Sequence, residues 1–239
     1  MEQTGTRRDR LRAATVREIT QTARRILVEQ GAEAVTLRAI AREMGMTAPA
    51  LYRYFDSHQE LLRHLAGDLF TELTDNIEGA IREVPADSLK GKFLAASIEF
   101  RNWALEHRRE YTMLFGTPLP GGEAGEEDDW TAECGRRFGR TFVALFLELW
   151  HVKPFPVPAD DEIDPGLRAQ IERYRSHLGV PDLPIGVIVV FLSCWIRLQG
   201  FVTLEVFGHL SFALDESGPM FDLMMHDLAE RLGLTHDLG

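Results

Sequence analysis

Residues 36 to 61 constrain this chain more than any other stretch. They read Thr36-Leu-Arg-Ala-Ile-Ala-Arg-Glu-Met-Gly-Met-Thr-Ala-Pro-Ala-Leu-Tyr-Arg-Tyr-Phe-Asp-Ser-His-Gln-Glu-Leu61. The pattern predicts two short helices joined by a tight turn, then the start of a third. Thr36 caps the first helix, because its hydroxyl accepts a backbone N–H that has no intrahelical partner. Ile40 and Met44, four apart, share one face. Ala41 is small where two helices would cross closely. Gly45 follows the last periodic residue, where a left-handed C′ position favours a residue without Cβ. Met46 is an apolar plug in the turn. Thr47 caps the next helix, and Pro49 is tolerated in its first turn. Leu51, Tyr54 and Phe55 form the inner stripe. The spacing of Ala41, Gly45 and Leu51 is that of a helix-turn-helix, whose second helix lies in the DNA major groove.

Pro49, Ala50, Tyr52 and Arg53 then face outward, with Thr47 and Ala48 at the tip. Tyr52 can donate to phosphate or stack on a thymine methyl. Arg53 can pair with phosphate or, bidentately, with guanine O6 and N7. The candidate DNA contacts are these six residues together with Thr36, Arg38, Tyr54 and His58. The alternative is a helical hairpin inside an all-α core with two solvent-facing aromatics.

The run Thr36-Leu-Arg, Ile40-Ala41, Gly45-Met-Thr and Leu51-Tyr-Arg-Tyr-Phe55, followed by Ser57 and Glu60-Leu-Leu62, resembles the N-terminal domain of the TetR/AcrR family of bacterial one-component regulators over about residues 12 to 65. The resemblance implies a dimeric, all-helical repressor. Its C-terminal domain would bind a small molecule and thereby release DNA. After Ser57 the family usually has Lys, which holds a phosphate; this chain has His58. After Thr47 the family often has a polar or basic residue; this chain has Ala48.

Charge is distributed as that reading requires. Residues 1 to 63 hold eleven Arg, no Lys and eight Asp or Glu, a net +3, whereas the remainder carries −14. A basic head on an acidic body suits a protein that touches DNA at one end. The two cysteines, Cys134 and Cys194, have no metal-ligand spacing and read as buried free thiols, with a redox pair as the alternative. The N-terminus lacks the apolar run of a signal peptide. The longest apolar run, Ile185 to Ile196, is too short to span a bilayer. No membrane partner, metal or cofactor is expected, and the expected place of action is the cytoplasm.

Arg7, Arg8, Arg10 and Arg12 form a basic arm for a minor groove or phosphates, or else a solvated tail. Thr15 and Glu18 make a capping box for a first helix that ends at Gly31. Ser57 and Glu60 make another, opening a helix of roughly 25 residues that ends before Pro85. A rod there can convert movement of the body into a change in the separation of two heads. Two helices are expected over 88 to 115, with a break near Glu106 to Arg109. Residues 116 to 129 read as a surface loop whose acids, Glu123 and Glu126 to Asp129, lack the pattern of a calcium loop. Further helices are expected over Trp130 to Trp150, 166 to 178, Leu183 to His209 and within Phe212 to Leu232. The expected domains are residues 1–60, arm and helix-turn-helix, and 61–239, a helical ligand-binding and dimerisation domain.

Leu183 to His209 is apolar almost all round, so it is expected to be buried on all sides. With the last helix it would form a four-helix interface between two copies, with Val190, Phe201, Phe221, Met224 and Leu228 as its candidates. Tyr111 to Gly121 and Trp195 to Glu205 are similar to a C-terminal domain of one TetR subgroup named for Trp, His and Gly, with Gln199 at the His position. Trp103, Tyr111, Phe115, Phe138, Phe142, Phe191, Trp195 and Gln199 are the candidates to line a pocket for a mostly apolar ligand. Arg197 is expected to pair with Glu205 or to meet an anionic ligand.

Three functions stay open on these residues. The first is a ligand-released homodimeric repressor on an inverted-repeat operator. The second is an adaptor or activator under a protein partner. The third is an enzyme, for which the sequence offers no nucleophile elbow, metal motif or glycine-rich phosphate loop.

Overall fold

Apolar residues three and four apart recur along the chain, and they fold as helices. A computed structural model describes residues 6–116 and 130–234, and every regular element among them is helical. The helices are α1 (Arg7–Gln30), α2 (Leu37–Glu43), α3 (Ala48–Leu51), α4 (His58–Arg82), α5 (Leu89–Glu106), α6 (Arg108–Tyr111), α7 (Trp130–Val152), α8 (Pro165–Leu178), α9 (Ile185–Val206) and α10 (Gly218–Arg231). A 3-10 turn, Ala32–Ala34, follows α1, and a π-helical segment, Thr112–Gly116, continues α6. The acidic cluster from Glu123 to Asp129 lies outside the described residues.

The all-α expectation holds, with shifts at element ends. α1 starts eight residues before the Thr15 box, because Thr6 and Asp9 form an earlier one. The Thr6 hydroxyl accepts from the Asp9 N–H at 3.2 Å, and the Asp9 carboxylate accepts from the Thr6 N–H at 2.9 Å. The Thr15 hydroxyl instead donates to the Leu11 carbonyl within the helix. The basic arm is therefore the first turns of α1. The break after α5 falls at His107, whose φ of −117° and ψ of 49° leave the helical region.

Contacts divide the chain into two compact units, Met1–Thr74 with Glu106–Phe138, and Asp75–Leu105 with Gly139–Gly239. The chain leaves the first unit and returns to it, so the units are not simple halves of the sequence. In the first, Ile19, Ala23, Ile26 and Leu27 of α1 are buried with Ile40, Leu51, Leu61 and Leu65. Arg24 adds an ionic tie. Its guanidinium donates to Glu72 at 3.0 Å and to Glu110 at 3.2 Å, and Glu110 is itself buried. The hydrogen bond to Glu72 holds Arg24 protonated more firmly than usual, against the cost of burial. Arg109 donates to the Val28 carbonyl at 2.8 Å, near the end of α1 where carbonyls lack helical partners. Phe70, Tyr111, Phe115 and Phe138 pack with ring centroids 4.8 to 5.9 Å apart.

The second unit is built on Phe93, Phe100, Phe142, Phe146, Phe191 and Trp195, with neighbouring ring centroids 5.1 to 6.2 Å apart. α9 buries Val187, Ile188, Val190, Leu198 and Val202, but it is not covered all round: Ile196 is 67% exposed and Leu204 44%. Gly186 is required at its start, since a Cβ there would lie 2.5 Å from the Pro158 carbonyl oxygen. Glu205 does not pair with Arg197. It takes Arg101, whose Nε donates to it at 2.7 Å, and Arg197 turns to Asp227 at 3.3 Å. Burial decides the pairing, because the enclosed carboxylate takes the partner that can follow it inside. As a helix of 22 residues, α9 is long and apolar enough to cross a membrane by length and composition, a length the uninterrupted apolar run alone did not reach. Half of its apolar window is buried within the protein.

Both cysteines are buried and free. Cys134 lies 3.3 Å from the Thr71 hydroxyl, and burial pushes the Cys194 thiol up to about 11.

Candidate nucleic-acid interface

The turn between α2 and α3 is fixed by local chemistry. The Thr36 hydroxyl accepts from the Ala39 N–H at 3.1 Å and starts α2. At the other end the Met46 N–H donates to the Ala41 carbonyl at 2.8 Å and the Gly45 N–H to that of Arg42 at 3.3 Å. This is a Schellman closure, and Gly45 holds the left-handed residue at φ +64°. Pro49 lies in the first turn of α3. Thr47 has the extended backbone of a cap, but its hydroxyl makes no capping bond. α3 itself ends at Leu51 and Tyr52 to Tyr54 form a turn, in which the Tyr52 N–H donates to the Ala48 carbonyl at 3.2 Å and the Phe55 N–H to that of Leu51 at 3.3 Å, so α3 is shorter than the expected run to Phe55. Leu51 and Phe55 are buried beneath it.

The outward side is as the spacing suggests. Thr47, Pro49 and Arg53 are exposed, Tyr52 is 51% exposed, and Ala48 and Ala50 are half-buried. Thr36 and Arg38 are exposed at the start of α2. Two candidates are engaged within the protein. The His58 ring Nε2 lies 2.6 Å from the Val35 carbonyl oxygen, so that nitrogen carries the proton and donates it there. Tyr54 is half-buried, with the Arg12 guanidinium over its ring at 5.3 Å. The same guanidinium donates to the Arg53 carbonyl at 3.0 Å. Sequence reading assigned Arg12 to the arm and missed this role, since nothing local links residues 41 apart.

The pocket candidates fall in two groups. Tyr111, Phe115 and Phe138 belong to the first unit's aromatic cluster, and Phe142, Phe191 and Trp195 to the second's. Trp103 is buried in the second unit and Gln199 half-buried on α9. The gap among Phe142, Phe146, Phe191, Trp195 and Leu228 is only about 10 Å³, room for one water at most. In the first unit a cleft of about 250 Å³ opens between α1 and α4. Arg17, Gln21, Arg24, Asp68 and Glu72 line it, a charged wall unsuited to an apolar ligand. Of the interface candidates, Val190, Phe221, Met224 and Leu228 are buried within the chain itself and Phe201 is half-buried.

Residues 12–65 match the family of bacterial regulatory proteins of the tetR type, and residues 93–228 match the tetracyclin repressor-like C-terminal domain. The chain belongs to the TetR family. Within that family it is 33% identical to the HTH-type transcriptional regulator Rv1816 of Mycobacterium tuberculosis over 221 residues, 91% of this chain and 92% of that one. The solved regulatory protein SCO4313 is 28% identical, with a TM-score of 0.70 over 94% of this chain and 100% of that one. The structure of RolR in complex with resorcinol shares the fold at 14% identity, with a TM-score of 0.54 over 95% of each chain. This TetR-family chain is thus a DNA-binding transcriptional regulator, and the α2–α3 tip lies within residues 12–65 that the N-terminal family covers.

Proposed function

We infer that this TetR-family regulator is a homodimeric repressor that leaves an inverted-repeat operator when a small molecule binds, and that it works in the cytoplasm. The observation that carries the reading is the presence, in one chain, of an outward Tyr52–Arg53 tip and an uncovered apolar edge. Ile196, Leu204 and Phe207 fall on one stripe of the α9 region and are 40 to 67% exposed. Met220 and Leu223 are exposed on α10. A second copy covering this edge brings two tips to one duplex, and two-fold symmetry of the protein demands an inverted repeat. The contact runs through these outward residues of α9 and α10, because Val190, Phe221 and Leu228 are already enclosed.

α4 runs from the first unit into the second, and this supports reading it as the route by which occupancy of the body acts on the head. RolR was solved with an aromatic diol, and the aromatic clusters of this chain suit a mostly apolar effector of that general kind. Such an effector must part Phe142 from Trp195, because the gap between them is closed. The same closure favours the second reading, an adaptor or activator indifferent to small molecules, and a ligand screen on operator-bound protein separates the two. No catalytic role is proposed.

The test is selection of duplexes from a random pool, with Tyr52→Ala alongside. An inverted repeat enriched by the wild type and lost by a folded Tyr52→Ala is the expected result. Equal enrichment of the same motif by both would remove α3 and its turn from the interface.

A further inference from the structure

We propose that Arg12 is a positioning residue for sequence recognition: it clamps the turn that carries Tyr52 and Arg53, and it is not a phosphate ligand of a basic arm. The inference rests on the reading of α3 and its turn as the base-facing element.

α3 is only four residues long, and beyond Leu51 the chain turns instead of continuing the helix. So short a helix makes only a few hydrogen bonds of its own, and its direction depends on outside contacts. One contact comes from beneath, through buried Leu51 and Phe55. The other comes from α1. The Arg12 Nη1 donates to the Arg53 carbonyl at 3.0 Å while the guanidinium lies 5.3 Å from the Tyr54 ring centroid. A single planar group thus restrains two consecutive residues, by a charge-assisted hydrogen bond and a cation–π contact. Arg53 is held by its backbone, so its side chain stays outward and available. Tyr52 precedes it directly, and its direction is set by the same turn. Base contacts specify sequence, whereas phosphate contacts set register and carry the salt dependence. Arg12 therefore bears on specificity without touching a base. Lysine cannot replace it, because an ammonium offers no planar face to stack while donating in that plane.

The experiment uses the full-length protein, the inverted repeat selected by the wild type, and a scrambled duplex of equal length. Affinity is measured for both duplexes across a salt series. For Arg12→Ala, affinity for the selected duplex is expected to fall about tenfold while the scrambled duplex changes by less than about twofold. The slope of log affinity against log salt stays at the wild-type value. Arg12→Lys is expected to fail in the same way, although it keeps the charge. Tyr54→Leu should weaken specific binding in the wild type and add little on top of Arg12→Ala, because both remove one contact. A phosphate ligand behaves otherwise: both duplexes weaken together, the slope drops by about 0.9, and lysine rescues. That pattern, or unchanged specific affinity, overturns the proposal. Circular dichroism melts verify folding, and if Arg12→Ala does not fold, Arg12→Lys and Tyr54→Leu carry the test. A wild type that enriches no motif overturns the underlying reading of α3, and this proposal with it, so the two failures are told apart.

Discussion

Gly45 shows how one residue fixes the head. Its φ of +64° closes α2 through the Met46 and Gly45 N–H donors, and no atom lies within 4 Å of where a Cβ would stand. The cost of a side chain there is therefore conformational rather than steric crowding. Gly45→Val is expected to lose about 1–2 kcal/mol in chemical denaturation, since a β-branched residue resists the left-handed region. Gly45→Asn should lose less, because Asn visits that region more readily. This residue was legible in the sequence, as were the Thr36 cap and the outward Tyr52 and Arg53. Caps and turns act within about five residues, so their signal is local. The roles of Arg12 and His58 were not legible, because their partners, the Arg53 and Val35 carbonyls, are 41 and 23 residues away. Backbone acceptors leave no side-chain signature to match.

At the scale of elements, α1 is held by its apolar stripe and by the Arg24 node. Arg24 reaches Glu72 on α4 and Glu110 on α6, and His107 Nδ1 lies 3.6 Å from the same Glu110 oxygen. Arg24→Ala removes the guanidinium from a buried carboxylate and is expected to cost about 2 kcal/mol in urea denaturation. Adding Glu110→Gln should recover part of that loss, since the charge left behind is then gone. Two additive losses would mean that the node is not a unit. The helical content of α1 was legible from its period, but its start was not. Two capping boxes compete, at Thr6 and at Thr15, and the earlier one wins because Asp9 closes it reciprocally. The node itself joins residues 86 apart, beyond any sequence period.

Across the whole molecule, the all-α architecture follows from the pattern, but the covered and open sides of α9 do not. α9 is dominated by Ile, Val, Leu and Phe, and the few polar residues beside Ile196, namely Ser193, Arg197 and Thr203, are too sparse to show that Val190 is enclosed and Ile196 open. Phe207→Asp or Ile196→Asp is expected to shift the protein from dimer to monomer in sedimentation equilibrium with the helical circular dichroism retained. Val190→Asp should unfold it, because the carboxylate would be buried without a partner. A dimer untouched by both outward substitutions would place the contact elsewhere. The His58 ring bears on the molecule at work in a different way. With its Nε2–H turned to the Val35 carbonyl, that ring nitrogen is engaged inside the head and is not offered to a duplex. The bond ties the first turn of α4 to the residue that precedes the Thr36 cap of α2. The starts of the two helices are thereby coupled, so a tilt at the start of α4 is carried to the start of α2.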